Sequence, residues 1–391
     1  MSQLLNERWS ETKEALLEGL QGNRRASMQV CLENTRRYLA EAATAGATSS
    51  GNVATLNRVI LPVIRRVMPT VIANEIIGVQ PMTGPVGQIH TLRVRYADTS
   101  SGVVAGEEAL SPFKIAAAYS GNTNDSNPKA ASTSQLEGQP GKRMSIQILK
   151  APVEAKSRKL SARWTFEAAQ DAQAQQGIDI EAEIMAALAQ EITVEIDQEI
   201  LASLRSLASV EETYDQALVS GTATFVGDEH AALAIQVNRV SNLIAQRTRR
   251  GAGNWAVVSN QALTILQSAT TSAFARTTEG TFEAPTNTKF VGTLNGAMKI
   301  YVDSYKADTD NNNQVLIGYK GSSEADAAAF YCPYIPLMSS GVVLDPTTFE
   351  PVVGFLTRYG YVELSNTASS LGNAADYLGK VAINSATVSF K

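Results

Sequence analysis

Residues 56–96 change from a helical to a strand-like pattern of apolar positions. Pro62 and Pro69 interrupt the apolar first half, because proline lacks an amide hydrogen and clashes with the preceding helical turn. Glycines and prolines then mark turns, and from Ile89 onward apolar and polar residues alternate. The pattern predicts a helical piece that a turn-rich connector joins to a strand. The segment contains no plausible catalytic group.

Residues 86–165 contain two strand-like segments that flank a long middle. This middle, residues 98–141, consists mostly of Ala, Gly, Ser, Thr and Asn, and it is too long for an ordinary loop in a compact domain. A two-stranded hairpin is only marginally stable alone in water. We therefore expect this hairpin to gain its stability by lying on another surface.

Residues 1–45 predict two amphipathic helices, and the small, polar residues 45–55 predict an extended linker. The apolar stripe of the first helix has spacings of four and seven: Leu5, Trp9, Leu16 and Leu20. A helical arm on a linker has little core of its own. It must pack on another part of the molecule or on a neighbour.

Residues 179–207 give the strongest helix prediction. Asp179 is a candidate N-cap, and apolar residues recur every four positions from Ile184 to Leu204. Each step of four turns the face by roughly 40°, so the stripe winds around a long strut. Glu191, Glu195 and Glu199 form an acidic ridge, which is mildly repulsive unless a cation faces it. A basic neighbour is the preferred interpretation, and a solvated ridge is the alternative.

Beyond residue 210 helices and strands alternate. The predicted helices are 229–249 and 260–269, and the predicted strands are 255–259, 299–305, 314–319 and 328–331. The last strands, 349–364 and 380–390, are expected to return to the sheet beside the long helix.

The composition fits a globular chain with an uneven charge. At 391 residues, with 44% hydrophobic residues, it has room for two or three domains, or for one with long excursions. Residues 86–165 carry 11 Lys/Arg against 6 Asp/Glu, a net +5, and the rest carries 22 against 32, a net −10. A positive arm on a negative body can steer like subunits together. A solvated basic hairpin is the alternative.

The sequence indicates a chain made and used in the cytoplasm. Cys31 and Cys332 are too few for a disulfide scaffold, so a reducing compartment is expected. No apolar run reaches the length of about 18 residues that a bilayer span needs, and no signal peptide is recognisable.

Candidate chemistry is weak throughout. Gly251 and Gly253 fit a loose dinucleotide fingerprint, but they follow a predicted helix and open a strand, the reverse of the required order. Residues 308–312 resemble a calcium loop without its glycine and glutamate. His90 and His230 are isolated from each other and from the cysteines. We therefore predict no enzyme activity, no cofactor and no metal.

Residues 65–87 (RRVMPTVIANEIIGVQPMTGPVG) closely resemble the signature of the major capsid proteins of T-even-type contractile-tailed phages. Further matching pieces follow in family order: EAKSRKLSARWTFEAAQD (154–171), RGAGN (250–254), GYKG (318–321), YCPYIPL (331–337) and VVGFLTRYG (352–360). The resemblance implies an α+β fold of the Hong Kong 97 type. Its expected parts are an N-terminal arm (1–60), a peripheral domain (61–85 and 166–225) with a spine helix (179–207), an extended loop (86–165), an axial domain (226–345) and a return to the peripheral domain (346–391).

The resemblance also implies a function in assembly. Hexamers, with pentamers at the vertices, would tile an icosahedral virion head around double-stranded DNA, and the shell would assemble in the bacterial cytoplasm. Portal, vertex, scaffold or decoration proteins would be further partners, and no membrane is expected. The alternatives are a vertex-only paralogue, a nanocompartment shell protein and an unrecognised α/β enzyme.

Charged residues supply the candidate contacts between subunits. The hairpin, with its base, would form one surface through Arg93, Arg95, Lys156, Arg158, Lys159 and Arg163. The acidic ridge of the spine helix would be its partner or lie near it. The candidate contacts of the N-terminal arm are Trp9, Arg24, Arg25, Arg36 and Arg37. For the arginines, acidic surfaces of neighbouring subunits are favoured over DNA phosphates, because the chain is acidic overall.

Two further expectations concern processing and length. Leu39-Ala-Glu41 fits the pattern after which head proteases of this family cut, as do two earlier tripeptides, and we expect the arm to be retained. The stretch 98–150 is much shorter than the corresponding insertion of T-even relatives. A separate folded insertion domain is therefore not expected.

Overall fold

The computed structural model describes residues 9, 13–14, 16–17, 20, 22–44, 71–100, 102–107, 109, 118–121, 129–138, 140–176, 179–219, 226–248, 250–269, 274–276, 288–303, 313–323, 326–348, 350–364, 374–384 and 388. Within these ranges helices and strands are both abundant, which confirms the α+β class. The helical piece predicted within 56–70 lies outside them. No helix in the described ranges is long and apolar enough to cross a membrane.

The helices are α1 (Gly22–Thr44), α2 (Ala73–Ile76), α3 (Thr133–Leu136), α4 (Phe166–Gln176), α5 (Ile180–Leu207), α6 (Gln216–Val219), α7 (Val226–Thr248) and α8 (Asn260–Ser268), with a 3-10 turn at Ala374–Tyr377. The strands are β1 (Gly78–Val79), β2 (Val86–Tyr96), β3 (Met144–Glu154), β4 (Lys156–Arg163), β5 (Val210–Tyr214), β6 (Trp255–Val258), β7 (Phe274–Arg276), β8 (Thr288–Leu294), β9 (Met298–Asp303), β10 (Gln314–Gly318), β11 (Ala329–Leu344), β12 (Pro351–Glu363) and β13 (Leu378–Ile383).

One core lies between a seven-stranded sheet and two helices. The strand order is β5-β13-β10-β6-β9-β8-β7, and the central strands β6 and β10 are buried along their whole length. Val237 and Ile244 of α7 and Ile265 of α8 pack with these strands in one cluster. Strands that are apolar on both faces are typical of the middle of a covered sheet.

The second core lies between a four-stranded sheet and α5. The sheet order is β1-β11-β12-β4. Val353 and Phe355 of β12 are buried in one cluster with Ile192 and Ile196 of α5. The predicted long helix is confirmed as α5. Asp179 caps it by accepting a hydrogen bond from Glu181 N at 3.1 Å. The winding stripe lets α5 contact the small sheet along one part and the seven-stranded sheet at its end.

The predicted hairpin is also confirmed. β2 and β3 pair antiparallel over their whole length, from Val86 opposite Glu154 to Tyr96 opposite Met144. They form a separate two-stranded sheet. At its far end Tyr96 packs in a small buried cluster with Val103, Ala109 and Tyr119, so part of the connection between the strands has local packing of its own.

The structure places two strands in sheets other than those expected. β11, whose first residues the sequence placed in the axial domain, pairs antiparallel with β12 and belongs to the four-stranded sheet. β13 lies inside the seven-stranded sheet, between β10 and β5. Gly379 explains this position, because a Cβ there would lie 2.6 Å from Val240 Cγ1, and only glycine lets α7 approach so closely. Alternation along a strand does not reveal which sheet accepts it.

Candidate subunit-contact surfaces

Arg158 of β4 binds the acidic ridge of α5 within the same chain. Its Nη1 donates to Glu195 Oε2 at 2.6 Å, and its Nη2 donates to Glu199 Oε2 at 2.5 Å. The Nε donates to Tyr359 Oη at 2.6 Å, so all three nitrogens of the planar guanidinium donate hydrogen bonds. The alternation of β4 turns Arg158 toward α5, together with the partly buried Leu160 and Ala162.

The charges of this cluster stabilise one another. Partial burial opposes the ionisation of Glu199, but hydrogen bonds from Arg158 and Tyr359 outweigh it and lower the pKa of that carboxyl. Burial raises the pKa of Tyr359 to about 12, and the hydrogen-bonded Glu199 carboxylate adds to this rise. This cluster of Arg158, Glu195, Glu199 and Tyr359, here named the Arg158 joint, connects the four-stranded sheet to α5.

This geometry gives three of the predicted contact residues partners inside the chain. The sequence assigned Arg158, Glu195 and Glu199 to a contact between subunits, and the structure forms that contact inside one chain. The other members of the set lie at the surface. Lys156, Lys159 and Glu191 are exposed and make no ion pair with any described residue. Arg163 is largely exposed, with its Nε 3.7 Å from Glu350 Oε2.

The hairpin carries an apolar stripe that the sequence reasoning missed. Met144, Ile146 and Ile148 of β3 are 54%, 68% and 61% exposed. Alternate residues of a strand share one face, so these three side chains form a continuous ridge, here named the hairpin stripe. The alternation in MSIQIL could have identified it. On β2, Arg95 is partly buried, and the side chain of Arg93 lies outside the described residues.

The N-terminal half of α5 presents a second uncovered surface. Its exposed residues are small or acidic: Ala182, Glu183, Ala186, Ala187 and Glu191. We name this surface the Ala/Glu face. It lies on the same helix as the Arg158 joint, one to three turns nearer the N-terminus. Small side chains allow close approach of another element, and its charge is opposite to that of the basic hairpin region.

The N-terminal arm packs on its own chain. Met28, Cys31 and Leu32 of α1 are buried in the core cluster that contains α5. Asn34 Nδ2 donates to Met82 O at 2.6 Å and to Tyr334 O at 3.1 Å.

Charged and aromatic groups of the arm add to this docking. Arg24 forms an ion pair with Glu75 of α2. Glu75 also accepts from Tyr301 Oη at 3.3 Å and lies 3.5 Å from Lys299 Nζ. Trp9 packs at the edge of the same core. The arm therefore contacts α2 through Arg24 and β11 through Asn34, and Glu75 links α2 to β9.

The remaining arm candidates are only partly described. Arg25 is exposed on α1, whereas the side chains of Arg36, Arg37 and Glu41 lie outside the described residues. The backbone of α1 is helical through residue 41 to Thr44. The peptide bond after Glu41 therefore lies in the last turn of a helix.

The structure assembles no catalytic constellation from the described residues. His230 is buried, with its Nδ1 2.6 Å from Ser268 Oγ, and no group of three metal-binding side chains is found in the described ranges. A Cβ at Gly251 or Gly253 would lie 2.5 Å from Tyr319 or 2.8 Å from Ile317. These glycines allow close packing after α7. Residues 308–312 lie outside the described ranges.

Comparisons with known proteins point to one family. The family model "Major capsid protein Gp23" matches residues 53–383. The chain is 30% identical to the major capsid protein of Vibrio phage KVP40, over 85% of this chain and 81% of the relative. It is 28% identical to the major capsid protein of Enterobacteria phage T4, over 83% of this chain and 78% of that protein. A solved structure, the capsid of Myoviridae phage XM1, is 10% identical, with a TM-score of 0.44 over 78% of this chain and 89% of that one.

Proposed function

The chain belongs to the Gp23 major capsid protein family, and we propose that its copies tile an icosahedral phage head as hexamers, with pentamers at the vertices, around double-stranded DNA. The protein is a structural component of the virion capsid and not an enzyme. Its work is assembly, in which each copy offers the same pair of complementary surfaces to its neighbours.

The observation that carries this proposal is the exposed apolar stripe of the hairpin. β2 and β3 pair only with each other among the described strands, and the hairpin stripe is more than half exposed. A two-stranded sheet is marginally stable alone, and so large an apolar ridge is costly in water. Burial on a second copy would remove both problems.

The Ala/Glu face of α5 is the receiving surface that fits this hairpin best. Its alanines leave room for the bulky side chains of the hairpin stripe, and Glu183 and Glu191 are exposed beside them. Exposed Lys150 flanks the stripe at one end, and Arg143, whose Nη2 lies 3.3 Å from Asp98 Oδ1, flanks it at the other. The opposite signs favour this pairing over contact between two hairpins or two α5 helices.

A single such contact is weak, which suits a shell that must assemble without errors. Covering the exposed parts of three apolar side chains contributes roughly 3–6 kcal/mol. Association costs roughly 4–15 kcal/mol in lost freedom of motion, so one such contact offsets only part of this cost over most of the range. Many contacts made at once around a ring raise the effective affinity steeply.

The parts of the fold map onto the Hong Kong 97-type plan as follows. The hairpin β2–β3 is the extended loop, and α5 with the four-stranded sheet forms the peripheral domain. The seven-stranded sheet with α7 and α8 forms the axial domain around the capsomer centre. Portal, vertex, scaffold or decoration proteins complete the head, and assembly takes place in the bacterial cytoplasm.

The N-terminal arm is retained in this proposal, because α1 contributes fully buried side chains to the core of its own chain. Finding Ala42 as the N-terminus of the protein in infectious virions would contradict its retention.

Electron microscopy of the purified full chain, expressed alone, tests the proposal. Hexameric sheets, tubes or closed shells at high concentration are the expected result. A chain that stays monomeric at every concentration, with its hairpin folded onto its own body, would refute it.

A further inference from the structure

Asp197 is a buried carboxylate at the junction between α5 and the chain that follows the N-terminal arm. It is 1% exposed, and its Oδ1 accepts a hydrogen bond from Ile72 N at 2.9 Å. Residues 71–77, here named the N-terminal junction, contain α2 and lead into β1 and the hairpin. No cation forms an ion pair with Asp197 in the described part of the chain.

A second buried carboxylate, Asp303, binds the guanidinium of Arg205 close to this site. Asp303, at the end of β9, is also 1% exposed. It accepts from Arg205 Nη2 at 2.8 Å and from Gln198 Nε2 at 2.9 Å. Gln198, next to Asp197 in the chain, and Arg205, about two turns further along α5, both bind Asp303, so the negative charge of Asp303 acts on Asp197. Arg205 pairs with Asp303, and no described cation pairs with Asp197, so an ionised Asp197 would be a buried charge without an ion-pair partner among the described residues.

The other ionisable groups described around the site do not supply a second cation. Tyr331 of β11 is fully buried and neutral, since burial raises its pKa well above the usual value. Glu75 of the junction uses Arg24 and Lys299 as its own partners. Burial raises the pKa of Asp197 to about 7; the hydrogen bond from Ile72 opposes the rise and the Asp303 charge adds to it.

We propose that Asp197 is a proton-dependent clasp, which holds the N-terminal junction on α5 when it is neutral and loosens that joint when its proton leaves for the solvent. The junction connects the arm to the hairpin, so the clasp sets how firmly both are anchored. It acts within a single chain and does not rest on the proposed assembly.

The direction of the pH effect on this joint follows from the linkage between the protonation of Asp197 and folding. The pKa of the Asp197 carboxyl is higher in the folded chain than its ordinary value of 3.8. The contribution of this group to stability is therefore complete below pH 3.8. The contribution is lost as the pH rises through about 7. Over most of this window each pH unit changes the opening equilibrium by up to about tenfold.

Hydrogen exchange on the unassembled full chain tests the clasp. The opening constant of residues 71–77, corrected for the intrinsic pH dependence of exchange, should rise about 10- to 100-fold between pH 5 and 7 and then level off. The Asp197→Asn variant should show a flat profile. Asp171→Asn, at an exposed aspartate of α4, is the matched control and should follow the unmodified chain.

Two results would overturn the clasp. A flat profile in the unmodified chain would do so alone, even if the variant fails to fold. A variant that retains the full pH dependence would assign the proton to another group. Because the readout is local opening in a single chain, it is independent of whether shells form.

Discussion

Arg158 Nη2 of β4 lies 2.5 Å from Glu199 Oε2 of α5, and this contact fastens the four-stranded sheet to the spine helix within one subunit. The two side chains are 31% and 40% exposed, so solvent screens the pair and its contribution is modest. The pattern of basic strand and acidic ridge in the sequence is therefore used first for folding. We propose the members that Arg158 does not engage, such as the exposed Glu191, for contacts with neighbours.

Charge reversal on the acidic ridge of α5 should distinguish the contact within the chain from the proposed contact with a neighbour. Glu195→Lys places a cation against Arg158 and should lower the free energy of unfolding by about 1 kcal/mol. Glu191→Lys, one turn earlier at an exposed position, should change it by less than about 0.5 kcal/mol. Urea denaturation of the unassembled chain measures both. Equal effects at the two positions would contradict the intramolecular role of Glu195.

The same two variants differ in assembly. Glu191→Lys should raise the subunit concentration needed for assembly, because Glu191 belongs to the proposed receiving face. Light scattering against protein concentration measures this threshold. An unchanged threshold would remove Glu191 from the contact.

The hairpin stripe should be more sensitive than any other exposed apolar position. Ile146→Asp removes roughly 1–2 kcal/mol of burial and places a charge in the contact, so the assembly threshold should rise at least about tenfold. Ile235→Asp on α7 is the matched control, since Ile235 is 67% exposed and Ile146 is 68% exposed. Circular dichroism should show both variants folded. Loss of assembly in the control alone would place the contact on α7 instead.

The docked arm makes a prediction about stability. Leu32 of α1 is fully buried in the main core, so Leu32→Ala should lower the free energy of unfolding by about 2–5 kcal/mol. Arg25→Ala on the exposed side of the same helix should change it by less than about 0.5 kcal/mol. Chemical denaturation compares them. A Leu32→Ala variant as stable as the control would mean that α1 is not docked on its own chain.

Local sequence patterns were sufficient to predict those elements that are stabilised by interactions between nearby residues. Asp179 and the four-residue apolar spacing predicted α5 to within a residue of its bounds, because capping and helical periodicity depend on neighbouring positions. Alternation likewise predicted β2 and its partner, since the register places Leu92, Val94 and Tyr96 opposite apolar residues of β3.

Long-range relations could not be predicted in the same way. The pairing of Arg158 with Glu195 depends on how β4 crosses α5, and charge alone fits a contact within or between subunits equally well. The place of β13 depends on the packing of Gly379 against α7, which no pattern within β13 encodes. Asp197 and Asp303 are buried carboxyls more than a hundred residues apart in the sequence. Nothing in either local sequence marks these side chains as buried.

The two thiols should be unreactive until the chain unfolds. Burial raises the pKa of Cys31 and Cys332 to about 12, so almost none of either thiol is ionised at pH 8. The thiolate is the reactive form, and both side chains are also shielded from reagent. A chromogenic disulfide reagent should therefore label neither cysteine in the folded chain and both in denaturant. Ser145→Cys, at an exposed position of β3, adds a thiol that should react at once and serves as the internal standard. If Cys31 reacted in the native chain at a comparable rate, α1 would have to leave β11 frequently, and the docked arm described above would be a minor conformation.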